Sequence, residues 1–95
     1  MSDVIAKAVE ALNEKLDGGF DGSAKFVIED EGAVMVDETG ARAGDEDAAV
    51  TMTADEDTFR QILDGSLNPT AAFMSGRLSV DGDMGQALKL GAALS

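Results

Sequence analysis

The side chains able to do chemistry in this 95-residue chain are almost all carboxylates: 19 Asp and Glu stand against 7 Lys and Arg, with no His and no Cys. His and Cys are the commonest general bases, nucleophiles and soft metal ligands, so their absence removes most acid–base, thiol and transition-metal chemistry. Six serines remain, none with an activating partner evident in the sequence and none in a G-x-S-x-G elbow. Carboxylate pairs are plentiful, but in so acidic a chain they arise by chance, and a two-carboxylate glycosidase site needs a cleft that a small domain seldom offers. Asp45-Glu46-Asp47, Asp55-Glu56-Asp57 and Asp81-Gly82-Asp83 supply hard oxygen ligands without the twelve-residue calcium-loop pattern. Asp55 and Asp83 read better as helix-start residues. Gly18-Gly19-Phe20-Asp21-Gly22 leads into a strand with no Lys-Ser/Thr behind it, so it is a turn and not a phosphate loop. No catalysis, metal or cofactor is expected.

What remains is apolar. Met52, Phe59, Phe73, Met74 and Met84 gather after position 50. Met adapts to irregular cores and to permissive pockets alike. By residue type alone the core reading is the weightier of the two, with a pocket as its alternative. The net charge of −12 excludes nucleic acid as a partner, because phosphates need cations. It also argues against tight docking on anionic lipid. The acids form either a solvated surface or a docking face for a basic partner. Without Cys there is no disulfide framework. No run is long enough to span a bilayer, and the N-terminus lacks the basic start and unbroken apolar run of a signal peptide. The closing AALS is no peroxisomal tripeptide. A single domain over 1–95, cytoplasmic and without stable membrane insertion, is the expectation.

Positioning such side chains takes a small α+β fold. Ser2 or Asp3 can cap a first helix whose Val4, Ile5, Ala8, Val9, Leu12 and Leu16 share one face, ended by Asp17-Gly18-Gly19. A membrane-surface helix is disfavoured there, because the polar face is not basic. Strands follow over Ser23–Glu29, Ala33–Val36, Ala41–Gly44 (a weak edge) and Ala49–Thr53, with joints short enough to imply an antiparallel meander. Thr53 and Glu56 form a T-x-x-E capping box for a helix reaching about Asp64 and stopped by Gly65. Asn68-Pro69 starts a short helix, Asn as cap and Pro at the first turn, and Gly76 stops it. Arg77–Asp81 alternates as a strand burying Leu78 and Val80, and it can enter the sheet beside a non-neighbour in sequence. Asp83 caps a last helix carrying Met84, Ala87, Leu88 and Gly91 on one face.

Asn68, Pro69, Ala72, Phe73, Met74, Gly76, Leu78, Gly82, Asp83 and Met84 match the pattern N-P-x-x-A-F-M-x-G-K-L-x-I-x-G-D-M. This long, irregular motif resembles the C-terminal signature of the sterol carrier protein two family, and weaker correspondence runs back to the N-terminus. Arg77 replaces the commoner Lys, Ser79 and Asp81 stand where members are often basic, and the N-terminal region is shortened. The resemblance implies a mostly antiparallel five-stranded sheet covered on one face by helices. It implies an apolar tunnel for sterol, fatty acid, fatty acyl-CoA or phospholipid, with no covalent chemistry and no cofactor. The face with Phe59, Ile62, Phe73, Met74, Met84 and Leu88 would lie beside that tunnel. The expected function is a soluble, non-enzymatic lipid carrier. The alternative is an interaction or regulatory protein with a filled core and an acidic docking face, its protein partner unknown. An accessory domain of a lipid enzyme comes third.

Overall fold

Alternation of apolar and polar residues between Ser23 and Ala54 builds most of a five-stranded sheet. The computed structural model describes residues 3–17 and 19–94. Strands β1 (Ala24–Ile28), β2 (Gly32–Asp37), β3 (Gly40–Ala43), β4 (Val50–Ala54) and β5 (Ser79–Gly82) lie in the order β3-β2-β1-β4-β5. Side chains of a strand alternate between faces, and Ala24, Phe26, Ile28, Val34, Val36, Val50, Met52 and Ala54 are all buried. Register stacks them in rows: Phe26 opposes Val34 and lies beside Met52, which opposes Val80. Val80 is half-buried where full burial was expected, because β5 is a sheet edge.

The meander stops after three strands. β1–β2 and β2–β3 are antiparallel, but β4 returns alongside β1 in parallel. The chain between β3 and β4 therefore crosses the sheet instead of turning back on it. It passes over Met35, which points away from the helices yet is buried, and the Glu46 N–H meets the Met35 Sδ at 3.4 Å. The Ser23 Oγ accepts the Ala49 N–H at 2.9 Å and fixes the start of β4 beside β1. β5 pairs antiparallel with β4, its predecessor among the strands, so the non-neighbour pairing falls on β1 and β4 and not on the last strand.

Helices α1 (Asp3–Leu16), α2 (Glu56–Asp64), α3 (Pro69–Met74) and α4 (Met84–Leu94) cover one face. α1 lies on β2 and β3, and α4 on β4 and β5. Ile5, Ala8 and Leu12 carry the buried stripe of α1, with Val4, Val9 and Leu16 packed at its margins. Two expected end residues of α1, Ser2 and Gly18, lie outside the described residues. Asn13 clamps the helix to edge strand β3, its Oδ1 accepting the Ala41 N–H at 2.8 Å and its Nδ2 donating to the Ala41 carbonyl at 3.1 Å. The capping box at Thr53 does not form. β4 runs on through Ala54, and Asp55 caps α2 instead, accepting the Thr58 N–H at 2.7 Å. Gly65 closes α2 in the left-handed region. Asn68 caps α3, accepting from Thr70 and Ala71, with Pro69 in the first turn. Asp83 caps α4 through the N–H groups of Gly85 and Gln86. Gly82 turns the chain between β5 and α4 at φ 112, where a Cβ would stand 2.5 Å from the Ala49 carbonyl oxygen, so only glycine fits.

Candidate functional site

Two helices of the covering layer stand slightly apart. On α1, Val4, Lys7, Ala8 and Ala11 fall at i, i+3, i+4 and i+7; on α2, Glu56, Phe59, Arg60 and Leu63 repeat that spacing. The two rows face each other across a half-open cleft of about 430 Å³. Its apolar wall is Val4, Ala8, Ala11, Phe59 and Leu63, and its polar margin is Asp3, Lys7, Glu56, Arg60 and Asp64. The space exists because α1 presents alanine at two of its three apolar lining positions, Ala8 and Ala11, where Leu-sized side chains would close it. The volume falls in the range of roughly 300–1,000 Å³ usual for small-molecule sites, and an apolar wall with few polar groups is their usual chemistry.

Phe59 is the hinge between cleft and core. It is buried, and its ring meets Phe26 edge-on, centroids 5.0 Å apart and planes at 77°. At the margin Arg60 is paired with Glu56 one turn away. Lys7 has no ion-pair partner among the described residues and stands exposed. Thr58, through its hydroxyl and then its backbone N–H, holds the Asp55 carboxyl below the usual range and so keeps the α2 cap ionised. The cleft thus offers apolar surface, one unpaired ammonium and three marginal carboxylates, with no Ser, Thr, Cys or His in its lining.

The six residues expected along one tunnel are divided by the structure. Phe59 lines the cleft and Ile62 is buried in the core behind it. Phe73 is 43% exposed, Met74 80%, Met84 44% and Leu88 63%, and none of the four lines this cleft. The reason is helical phase. α3 is short and turns Pro69 and Ala72 inward, and α4 turns Ala87, Leu90, Gly91 and Leu94 inward. The α4 stripe is therefore shifted from the expected Met84–Leu88 face. Val4 and Ala8 were read from sequence only as part of the packing face of α1, and Lys7, Ala11 and Leu63 were not proposed as site residues; the matching i, i+3, i+4, i+7 rows were the available signal. A second hollow of about 470 Å³ is lined by Glu29, Asp30, Glu31, Asp55, Glu56, Asp57 and Arg60. Among the described residues no group of three or more acids is arranged to hold a metal ion.

Comparison with known proteins gives a consistent picture. The model of the SCP-2 sterol transfer family matches residues 3–95. "Hydroxysteroid dehydrogenase-like protein 2" of Xenopus tropicalis is 38% identical over 88% of this chain but only 22% of its own length. The chain thus spans about a fifth of the length of the curated relatives it matches. Sterol carrier protein 2 from Aedes aegypti, solved in complex with a C16 fatty acid (palmitate), superposes with a TM-score of 0.78 at 19% identity, covering 100% of this chain and 97% of that one. Palmitated SCP2L2 from the same organism superposes at 0.74 with 18% identity, covering 99% and 95%. Those two likenesses establish the shared fold.

Proposed function

This chain belongs to the SCP-2 sterol transfer family, and from that premise we propose that it is a non-enzymatic lipid-binding module, taking the apolar part of a fatty acid, acyl-CoA or sterol between α1 and α2. The observation that carries the reading is the cleft of about 430 Å³ walled by Val4, Ala8, Ala11, Phe59 and Leu63. Each methylene removed from water there contributes about 0.8 kcal/mol. Lys7 at the margin gives a carboxylate head a partner, which favours a fatty acid over an uncharged lipid. The absence of His and Cys, together with a cleft that presents no activated nucleophile, supports a carrier over a catalyst. The family match and the unfilled space between α1 and α2 favour a lipid binder over a filled-core docking protein.

The test is titration with a fluorescent long-chain fatty acid. The wild type is expected to bind at micromolar concentration. Ala11→Trp, which places an indole in the cleft, is expected to lower affinity at least about tenfold while melting stays cooperative, since added bulk enters space and not packed neighbours. A wild type that takes up no fatty acid, or an Ala11→Trp variant that binds as well as wild type, would overturn the reading.

A further inference from the structure

Among the described residues, the four large apolar side chains that stand on the surface all belong to α3 and α4. These helices pack on each other, and Pro69 of α3 lies against Gly91 of α4. Phe73, Met74, Met84 and Leu88 therefore sit on one two-helix unit. The charge around them is as uneven as the exposure. Residues 65–80 and 84–94 contain no Asp or Glu, and carry Arg77 and Lys89, in a chain of net charge −12. Apart from Asp81 and Asp83, every acid lies at or before Asp64, and of these Asp21 reaches α4, where its carboxylate pairs with Lys89 at 3.4 Å. Asp81 lies opposite Thr51 on the sheet face turned away from the helices. Asp83 directs its carboxylate into the start of α4, accepting the Gly85 N–H at 2.9 Å and the Gln86 N–H at 3.3 Å.

We infer that this α3–α4 face, whose helices carry no acid of their own, is the surface by which the protein docks on a lipid bilayer, with Phe73, Met74, Met84 and Leu88 entering the interfacial layer. Charge selects this occupant. Headgroup phosphates and an anionic surface potential repel carboxylates, so a molecule this acidic approaches a bilayer best through the face whose helices contribute none. A second copy would bring another −12 charges against the first. A basic protein would seek the acid runs at 29–31, 45–47 and 55–57, which belong to elements other than α3 and α4. Docking is peripheral, since no described helix is long and apolar enough to cross a membrane. The inference rests on the lipid-binding reading for its purpose, because a carrier must meet the membrane it exchanges with; its test is independent.

The test is flotation with neutral phosphatidylcholine vesicles, beside fatty-acid titration in vesicle-free solution. Wild type is expected to float. Met74→Glu with Leu88→Glu is expected to lower the vesicle-bound fraction about tenfold, because each acid replaces an apolar contact and adds a headgroup-repelled charge. Met74→Gln with Leu88→Gln is expected to fall between, and it serves if the acidic pair melts early. Ala6→Glu with Ala43→Glu, adding the same charge at exposed sites on α1 and β3, is expected to leave flotation unchanged within about twofold. Solution uptake of fatty acid is expected to be unchanged in all of these. The inference is overturned if wild type does not float, or if the α3–α4 variants float like wild type. It is overturned equally if the control pair loses as much, or if sedimentation shows a dimer that the α3–α4 variants dissociate. Loss of solution uptake in the α3–α4 variants would assign these side chains to the ligand site and overturn it too. A wild type that floats as expected but takes up no fatty acid leaves the docking face standing and removes the cleft reading.

Discussion

Lys7 is the side chain on which head-group preference turns. An exposed ion pair contributes about 0.2–1 kcal/mol, so Lys7→Gln is expected to weaken fatty-acid binding about two- to fivefold and to leave binding of the fatty-acid methyl ester unchanged. Isothermal titration with the two ligands checks this; equal losses for acid and ester would remove the ammonium from the site. Asp37 governs a different property. The Thr39 hydroxyl, the Arg42 guanidinium and the Thr39 N–H hold its carboxyl down at about 2 against an ordinary 3.8. A carboxyl whose folded pKa is depressed adds stability that is fully present above the unfolded value and disappears as pH falls through the folded one. Asp37→Asn is therefore expected to flatten the decline of melting temperature between about pH 4 and pH 2. Melting curves across that window check it, and a decline as steep as in wild type would contradict it.

Among the elements, α2 and α3 separate core from surface. Phe59→Ala removes a buried ring that also contacts Phe26, and is expected to cost about 3–5 kcal/mol in denaturant unfolding. Phe73→Ala on α3 removes a ring that is 43% exposed and is expected to cost about 1 kcal/mol. Similar costs for the two would mean that α3 is buried more deeply than described. This contrast marks where the sequence was readable. Asn68-Pro69, Gly76 and Asp83 carry their own local chemistry, so α3, β5 and the start of α4 were legible from single residues. The phase of α4 was not. Met84 and Leu88 fit a helical period as well as Leu90 and Leu94 do, and only packing against β4, β5 and Pro69 selects the second set. The T-x-x-E box at Thr53 failed for a related reason: pairing with β1 and β5 keeps Thr53 in a strand, and the next available cap is Asp55.

For the whole molecule, the parallel β1–β4 pairing was the least legible feature. Residues 44–49 look like a tight turn in sequence, and nothing local says that they cross the sheet over Met35. The motif from Asn68 to Met84 nonetheless pointed to the right family and to a sheet with one covered face. The candidate site was legible only in part, because a cleft that owes its space to alanines announces itself by the side chains it lacks. The resulting molecule has its acids concentrated before Gly65, an apolar cleft between α1 and α2, and exposed apolar side chains on α3 and α4, helices that carry no acid of their own. The most direct measurement of the central claim is isotope-filtered nuclear Overhauser spectroscopy on the labelled protein with unlabelled palmitate. Contacts from the acyl protons to the methyl groups of Ala8, Ala11 and Leu63 are the predicted result. Contacts confined to Met74, Met84 and Leu88, or no intermolecular contacts at saturating ligand, would contradict it.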